Sequence, residues 1–272
     1  MLDKNKLADY VPGFQSRRTF SPQSPSQEEL VLAQQAAEEL AAQSGLTFTR
    51  FDQPKLLFDS FKRGKGFFRF AHYYYVISAK EDTPENRGKT GYFGQQLALY
   101  LTSLRLGCCW EMDRFDREKL AELLFPDSEE KPLAVLLFGR VNPIRSLREG
   151  TIHQMRKLHS KSFDKMFRSD RLDIPYWFHL GLEYFHKAPG NANRYEEAIR
   201  LKDNTAYFTA QPGQEVSTGI GTLHFELAVN SLPSCHGKIR VLEDQKVCFV
   251  NTIGETDAHQ AQPAKEDSHG VA

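Results

Sequence analysis

The sequence predicts an α+β fold made of two similar halves within one chain. The clearest signals lie in residues 91–110, where leucines recur at helical spacing before a short apolar segment typical of a buried strand. Part of this stretch reappears 128 positions later. The recurring residues are Gly91, Leu99, Ser103 and Leu104, which are matched by Gly219, Leu227, Ser231 and Leu232. A second similarity relates Arg18-Thr19-Phe20 to Lys161-Ser162-Phe163, which lies 143 positions later. We therefore expect two α+β copies packed about a pseudo-two-fold axis.

The first half is predicted to begin with a helix over residues 27–43, because Ser26 and Glu29 form a capping box before it. The polar residues 81–90 are expected to form a loop that leads to the helix beginning at Gly91. That helix is expected to end near Gly107, since glycine accepts the left-handed conformation found at helix C-termini. The other predicted elements of this half are a helix over 113–124 and strands over 46–51, 73–79 and 132–140.

The second half is predicted to contain a helix over 176–187, a hairpin that turns at Lys202-Asp203-Asn204, and a helix over 218–232. A final pair of strands is expected over 238–242 and 246–252. The resulting organisation is a loose N-terminus (1–14), a first half (15–145), a second half (146–254) and a disordered tail (255–272).

The composition favours a soluble globular protein and excludes several classes of partner. Of the 272 residues, 40% are hydrophobic and 26% are charged, and the formal net charge is zero. A balanced charge argues against nucleic-acid and membrane partners, which favour a strongly basic face. The N-terminal residues contain no apolar run, so we expect no signal peptide and a cytoplasmic location.

The four cysteines show no paired spacing that would indicate a zinc site or a disulfide framework. The adjacent pair Cys108-Cys109 is interpreted as two buried thiols in a reducing compartment. A redox or metal role for this pair is the alternative. We predict no metal site.

Four segments of the chain resemble the nitroreductase family. Residues 91–110 resemble a family stretch in which a helix leads through Gly-Leu-Gly into a Cys-Trp strand, and Arg17-Arg18-Thr19 resembles the opening Arg-Arg-Ser. Residues 188–194 are similar to the family's Ala-Pro-Ser-x-x-Asn loop. Residues 219–228 are similar to a divergent branch that carries both halves in one chain. The resemblance extends over residues 15–250 and implies mostly antiparallel sheets flanked by helices.

The resemblance implies an FMN site. Arg17, Arg18 and Thr19 would hold the phosphate, because guanidinium groups are permanently charged, planar donors. Backbone N–H groups around Cys109 and Trp110 would approach the reactive edge of the flavin.

The loop after the helix at 176–187 would complete this site from the second half of the chain. Its contributors would be Pro189, Gly190, Asn191 and Asn193, with the amide of Asn193 bonded to the polar edge of the ring. Residues 43–46 contain no equivalent loop, so one FMN per chain is predicted. The fused halves remove the usual need to dimerise, which permits a monomer and leaves the oligomeric state open.

The family mechanism implies that NAD(P)H reduces the FMN and that a small acceptor then enters the same pocket. The cofactor performs this chemistry, so no catalytic residue is named. The sequence departs from the family pattern at Ser21 (arginine in the family), Gly190 (serine) and Tyr195 (glutamine). The alternative function is therefore a non-catalytic member that binds flavin or another planar ligand without turnover.

Simpler interpretations stand beside these roles. Arg17 and Arg18 are also consistent with a solvated basic pair, and Asn193 with a loop residue that caps its own backbone. Trp110 and His224 are interpreted as core residues, and Lys161-Ser162 as a vestigial phosphate site. Residues 65–70 mix basic and aromatic side chains as RNA-binding strands do, but Phe68 and Arg69 depart from that motif.

Overall fold

The structure is a computed structural model that describes residues 3–62, 68–142, 165–190, 196–233, 235–241 and 247–251. Several predicted features lie outside these residues. They are Asn191, Asn193, Tyr195, Lys161-Ser162, the first three residues of the basic and aromatic segment 65–70, and the predicted tail.

The N-terminal residues are ordered against the core, so the expectation of a loose N-terminus is wrong for the part that the structure describes. A 3-10 helix spans Lys4–Tyr10, and Asp3 caps its N-terminus. Leu7, Val11 and Phe14 are all buried in the main hydrophobic core. Leu7 lies within the 3-10 helix, and Val11 and Phe14 lie in the turn that follows it, so the whole segment packs on the core.

The first half forms a four-stranded antiparallel sheet with the strand order β1-β2-β4-β3. Its strands are β1 (Thr47–Phe51), β2 (Tyr73–Ala79), β3 (Leu106–Glu111) and β4 (Lys131–Arg140). Its helices are α1 (Gln27–Ser44), α2 (Pro54–Asp59), α3 (Pro84–Ser103) and α4 (Arg117–Leu124). β4 lies inside the sheet and is buried along almost its whole length, as its continuous apolar sequence predicts.

The second half forms a five-stranded sheet with the order β5-β6-β7-β9-β8. Its strands are β5 (Phe167–Ser169), β6 (Ile199–Lys202), β7 (Thr205–Phe208), β8 (Gly237–Val241) and β9 (Val247–Asn251). Its helices are α5 (Tyr176–Lys187) and α6 (Glu215–Asn230). Apart from β5, which pairs in parallel with β6, the strands are antiparallel and their order β6-β7-β9-β8 repeats that of the first sheet.

The α+β class with antiparallel sheets flanked by helices is thus confirmed. α3 contributes Leu97, Ala98 and Leu101 to a core shared with the first sheet. α6 contributes Phe225 and Val229 to a core shared with the second sheet. α3 and α6 thus each pack on their own sheet, together with α1 and α5 respectively, and α3 and α6 meet in the middle of the molecule.

α3 and α6 cross in direct backbone contact at two glycines, Gly91 and Gly219. A Cβ atom on Gly91 would lie 1.9 Å from the carbonyl oxygen of Val216. A Cβ atom on Gly219 would lie 2.1 Å from the carbonyl oxygen of Gly88. Each glycine therefore lies against the residue three positions before the other glycine, which is the reciprocal relation produced by a two-fold axis.

The two crossing helices also end in the same way. The hydroxyl of Ser103 donates to the carbonyl oxygen of Tyr100 at 2.6 Å, and the hydroxyl of Ser231 donates to that of Ala228 at 2.7 Å. Both bonds run to the third residue before the serine. The sequence echo between the halves thus has a structural counterpart at both the middle and the C-terminal end of the helices.

Most predicted elements are present, and the errors concern where they begin and end. The strand at 73–79, the helix at 176–187 and the capping box of α1 are confirmed as predicted. α6 begins three residues earlier than predicted. α4 begins at Arg117 because Asp116 is its N-cap and accepts a bond from the N–H of Lys119.

The boundaries of α3 differ most from the prediction. The expected loop over 81–90 is largely helical, because Thr83 caps the backbone N–H of Asn86 and Pro84 occupies the first turn. The helix ends at Ser103 rather than near Gly107, and the left-handed residue after it is Arg105, with φ of 62°. Gly107 lies inside β3 instead.

The glycine crossing generates a stability prediction. Gly91→Ala would place a methyl group inside the backbone of α6, so we expect the free energy of unfolding to fall by about 3 kcal/mol or more. Gly88→Ala is the matched control one turn earlier, because nothing lies within 4 Å of a Cβ there. That variant is expected to be neutral or more stable by up to about 1 kcal/mol, as alanine has the higher helix propensity. Equal effects of the two changes in urea denaturation would contradict the crossing.

Candidate functional site

The predicted phosphate-binding segment crosses the end of the first sheet over a pair of glycines. Gly107 of β3 and Gly139 of β4 are register partners. A Cβ atom on Gly107 would lie 3.0 Å from the side chain of Arg17, and one on Gly139 would lie 3.2 Å from the ring of Phe20. Because glycine has no side chain, residues 17–20 can lie directly on the sheet at these two positions. Gly107 therefore permits a close approach of the chain and does not end a helix.

Backbone hydrogen bonds fix this segment in place. The N–H of Arg17 donates to the carbonyl oxygen of Cys108 at 2.7 Å, and that of Ser21 donates to the carbonyl oxygen of Arg140 at 2.7 Å. Thr19 forms a parallel β-bridge with Arg69. The predicted segment is therefore held at the open edge of β3, which is the outer strand of its sheet.

The two arginines of the segment have different surroundings. The guanidinium of Arg17 is partly exposed, and its Nη2 donates to the carbonyl oxygen of Asn142 at 2.8 Å. This is one of five donors on the group. The side chain of Arg18 is only 5% exposed, so Arg18 is not part of a solvated basic pair.

The predicted loop from the second half meets the other end of β3. Gly190 has φ of 113°, and a Cβ atom on it would lie 2.6 Å from the hydroxyl of Ser217. That hydroxyl lies 3.6 Å from the sulfur of Met112, which directly follows β3. Residues of the first half and the loop of the second half thus approach the same strand from its two ends.

The separation between these two groups follows from strand geometry. Cys108 lies beside Arg17, and Met112 lies beside Ser217. These two residues are four positions apart in extended chain, so the distance between them is about 13 Å. This span suits an extended mononucleotide-sized ligand. The structure therefore brings Arg17, Arg18 and Thr19 to one end of β3 and Gly190 towards the other, with Pro189 directly before it.

Backbone direction distinguishes Cys109 from Trp110. The carbonyl of Cys108 points to the open edge of β3, where it accepts the N–H of Arg17. Because backbone groups alternate sides along a strand, those of Trp110 point to the same open edge and those of Cys109 point to β4. Trp110 is therefore the better placed of the two predicted backbone donors.

The side chain of Trp110 belongs to the core, as its simpler interpretation predicts, and begins a buried polar chain between the halves. Its Nε1 donates to Oε1 of Gln95 at 2.8 Å. The amide nitrogen of Gln95 lies 2.9 Å from Nε2 of His224. Since the amide nitrogen can only donate, Nε2 of His224 must accept, and the proton of the neutral imidazole resides on Nδ1.

His224 is a buried histidine held in its neutral form. Burial lowers the pKa of His224 to about 3, against a smaller opposing contribution from the backbone of Tyr184. The ring of Phe14 contacts it edge-on at a centroid distance of 6.3 Å. His224 is thus a packed histidine, as the sequence indicates, but its hydrogen bond to Gln95 could not be predicted.

The cysteines are packing residues among the described parts of the chain. Cys108, Cys109 and Cys235 are all buried free thiols. Burial and the neighbouring thiol of Cys109 raise the pKa of Cys108 well above its usual range, so no reactive thiolate forms there at neutral pH. Within the described residues, no cluster of His, Cys, Asp and Glu is arranged to hold a metal ion, and no helix is both long and apolar enough to cross a membrane.

A cavity of about 970 Å³ lies beside the crossing of α3 and α6. None of the predicted site residues that the structure describes lines it. Neither this cavity nor the positions of Gln95, Gln96, Met112 and Ser217 around the site were predicted from the sequence. The adjacent amides of Gln95 and Gln96 within an otherwise apolar helix were the available signal for buried polar chemistry.

The chain matches one family model, whose description is "Putative TM nitroreductase", over residues 14–229. It also resembles a crystal structure from Thermotoga maritima MSB8 that is called a "putative nitroreductase". The TM-score is 0.52 at 18% identity, and the alignment covers 90% of this chain and 93% of that chain. The two proteins thus share a fold.

Two other solved structures align with about half of the chain. An FMN-dependent nitroreductase from Clostridium difficile R20291 has 19% identity and a TM-score of 0.44, and the alignment covers 50% of this chain and 88% of that one. A "Putative NADH Oxidase" from Clostridium acetobutylicum has 17% identity and a TM-score of 0.42, with coverage of 51% and 89%. No curated protein matches the chain.

The neutral state of His224 generates a prediction on pH. Its pKa is lower in the folded protein than the ordinary value near 6.5, so the unfolded state binds the proton more tightly between these values. The contribution of His224 to stability is therefore complete above about pH 6.5 and falls as the pH approaches 3. At pH 5 the loss is about 2 kcal/mol by linkage.

Urea denaturation at pH 7.5 and pH 5 would test this loss. The stability advantage of the wild type over His224→Gln should shrink by that amount between the two pH values, because glutamine does not titrate. His179→Gln, which replaces an exposed imidazole, is the matched control and should leave the pH profile of the wild type unchanged. Parallel profiles for wild type and His224→Gln would show that His224 is not held neutral.

Proposed function

The chain belongs to the "Putative TM nitroreductase" family, and on that basis we propose that it is an FMN-dependent oxidoreductase that uses NAD(P)H as electron donor. The acceptor would be a small molecule of unidentified structure. The observation that carries this proposal is the segment containing Arg17, laid over the Gly107–Gly139 pair beside the open edge of β3.

The residues at this edge have the chemistry that FMN requires. The guanidinium of Arg17 is partly exposed and donates one hydrogen bond to the carbonyl oxygen of Asn142. A charged planar donor of this kind suits a phosphate dianion. The backbone N–H of Trp110 is directed to the same open edge. At the far end, the absence of a side chain on Gly190 leaves the hydroxyl of Ser217 close to the loop backbone.

FMN, when bound, supplies the electron-transfer chemistry, as flavins do in other enzymes. The protein's own residues bind and orient it. Arg17 would hold the phosphate by charge-assisted hydrogen bonds, the backbone N–H of Trp110 would approach the reactive edge of the ring, and Pro189-Gly190 would border the pocket from the second half. None of these roles requires a protein acid or base, in keeping with the absence of a predicted catalytic residue.

We also propose that the chain arose by internal duplication and carries one flavin site. The shared strand order and the reciprocal contact of Gly91 with Gly219 support the duplication. The phosphate-binding residues of this site come from one half and its loop from the other, and the arrangement is asymmetric because the reciprocal loop is missing. α1 ends at Ser44 and Gly45, where no proline-containing loop corresponds to Pro189-Gly190.

Two observations favour the alternative of a member that binds a flavin or planar ligand without turnover. Arg18 is only 5% exposed, so Arg17 is the more accessible of the two predicted phosphate-binding arginines. Ser21 also replaces the arginine of the family pattern, which reduces the positive charge near the phosphate. Retention of FMN without NAD(P)H oxidation would identify this alternative.

The role of Arg17 can be tested by comparing two flavins. In Arg17→Gln, the affinity for FMN should fall about 10- to 100-fold, because hydrogen bonds to a charged group contribute about 1.5–3 kcal/mol. The affinity for riboflavin, which lacks the phosphate, should change less than about twofold by the same reasoning. Flavin fluorescence titration measures both affinities.

The matched control is Arg168→Gln, which removes the same charge from an exposed surface ion pair with Glu197 in the second half. It should leave the affinities for both flavins unchanged. If Arg17→Gln weakens riboflavin and FMN equally, Arg17 does not contact the phosphate. If the wild type binds neither flavin, the proposed function is wrong.

A further inference from the structure

The indole of Trp110 is fixed by both polar and apolar contacts. Its ring is buried, and its Nε1 donates to Oε1 of Gln95 at 2.8 Å. Gly94 comes directly before Gln95 on α3, and a Cβ atom on Gly94 would overlap Cη2 of the indole. The same Cβ atom would lie 2.6 Å from Cδ1 of Ile77 in β2. The indole therefore lies directly on the backbone of α3, between that helix and the first sheet.

The amide of Gln95 has one orientation that satisfies both of its neighbours. The indole Nε1 can only donate, so the oxygen of the amide must face it. The amide nitrogen then faces Nε2 of His224 at 2.9 Å, and this atom accepts because the buried imidazole is neutral. A protonated imidazole would present a second donor to the amide nitrogen. His224 on α6 thus determines which way the amide on α3 points.

The backbone of Trp110 depends on this anchor because it takes no part in the ladder with β4. The backbone groups of Cys109 and Glu111 point to β4, whereas those of Trp110 point to the open edge of β3. The ladder bonds of these two neighbours hold the strand from one side. The indole, held on α3, restrains the rotation of Trp110 between them.

We propose that Gln95 is a positioning residue of the proposed flavin site and acts on it through the indole of Trp110. By fixing the indole, Gln95 holds the outward N–H of Trp110 where it can donate to the reactive edge of the ring. His224 fixes Gln95 in turn, so the second half of the chain controls a donor that belongs to the first half. This inference rests on the proposed function, and it assigns no proton transfer to any of the three residues.

The expected effect is on the reduction potential of the flavin. A fixed N–H dipole stabilises the negative charge that a flavin gains on reduction. In Gln95→Leu this donor is held less firmly, so the affinity for reduced FMN relative to that for oxidised FMN should fall about 3- to 10-fold. At about 30 mV per tenfold change for a two-electron couple, the midpoint potential falls by about 15–30 mV. Reductive titration against a reference dye measures this potential.

Two further variants test whether the effect passes through the indole bond. Trp110→Phe keeps a ring and the backbone N–H but removes the donor to Gln95, so it should lower the potential similarly and serves if Gln95→Leu does not fold. Because both changes remove the same bond, the double variant should lower the potential no further than the larger single change. Gln96→Leu is the matched control, since it alters a buried amide on the cavity-lining face of α3, and it should leave the potential unchanged.

The bond itself can be measured without flavin. The chain contains two tryptophans, Trp110 and Trp177, so its NMR spectrum has two indole N–H signals, which Trp110→Phe assigns. In Gln95→Leu the Trp110 signal should move upfield and exchange with solvent about 10-fold faster, because a hydrogen bond is lost. The Trp177 signal should stay unchanged.

The outcomes separate this inference from the proposed function. A wild type that binds FMN, with an unchanged potential in Gln95→Leu and Trp110→Phe, overturns the inference and leaves the proposed function intact. Additive shifts in the double variant, or an equal shift in Gln96→Leu, also overturn it, because the effect would not pass through the indole bond. An unchanged Trp110 indole signal in Gln95→Leu shows that the bond is absent and overturns it too. A wild type that binds no FMN overturns both.

Discussion

The backbone contact between α3 and α6 is the constraint on which the rest of the structure depends. Each helix covers its own sheet, so bringing the helices together also brings the two halves together. Only glycine at positions 91 and 219 permits this approach, because any side chain would enter the backbone of the other helix. The crossing also sets where Ser217 lies relative to β3, and thereby joins the loop of the second half to the strand edge of the first.

Buried polar groups at this interface are arranged with consistent donors and acceptors. The chain from Trp110 through Gln95 to His224 works only if the imidazole is neutral, and burial keeps it so. On another face of the helices, the carboxylate of Glu226 holds both Lys4 and Tyr92 and ties the N-terminal 3-10 helix to the crossing.

Local sequence patterns were sufficient to predict most of the elements, but not the tertiary contacts that give several residues their roles. The capping box of α1 and the apolar run of β4 act over a few residues, and both were predicted. The start of α3 was missed because its first turn is polar and its N-cap is Thr83, a signal overlooked beside the strong stripe from Gly91 onward. Gly107 was assigned to a helix end because its actual role depends on Arg17, which is distant in sequence. Among the site residues, Arg17 and Gly190 were found from the family resemblance, whereas Ser217 and Met112 gain their significance only from the packing of the two halves.

The central claim is that one asymmetric flavin site lies between the two halves. The most direct test is the absorption spectrum of the wild-type protein after reconstitution with FMN and removal of free flavin, followed by anaerobic addition of NADH or NADPH. Our account predicts one flavin per chain and bleaching of the flavin bands by a reduced nicotinamide nucleotide. Two flavins per chain would contradict the asymmetry of the site, and a protein that retains no flavin would contradict the assignment of the strand edge as its binding site. A bound flavin that neither nucleotide bleaches would show that the fold binds the cofactor without the proposed oxidoreductase activity.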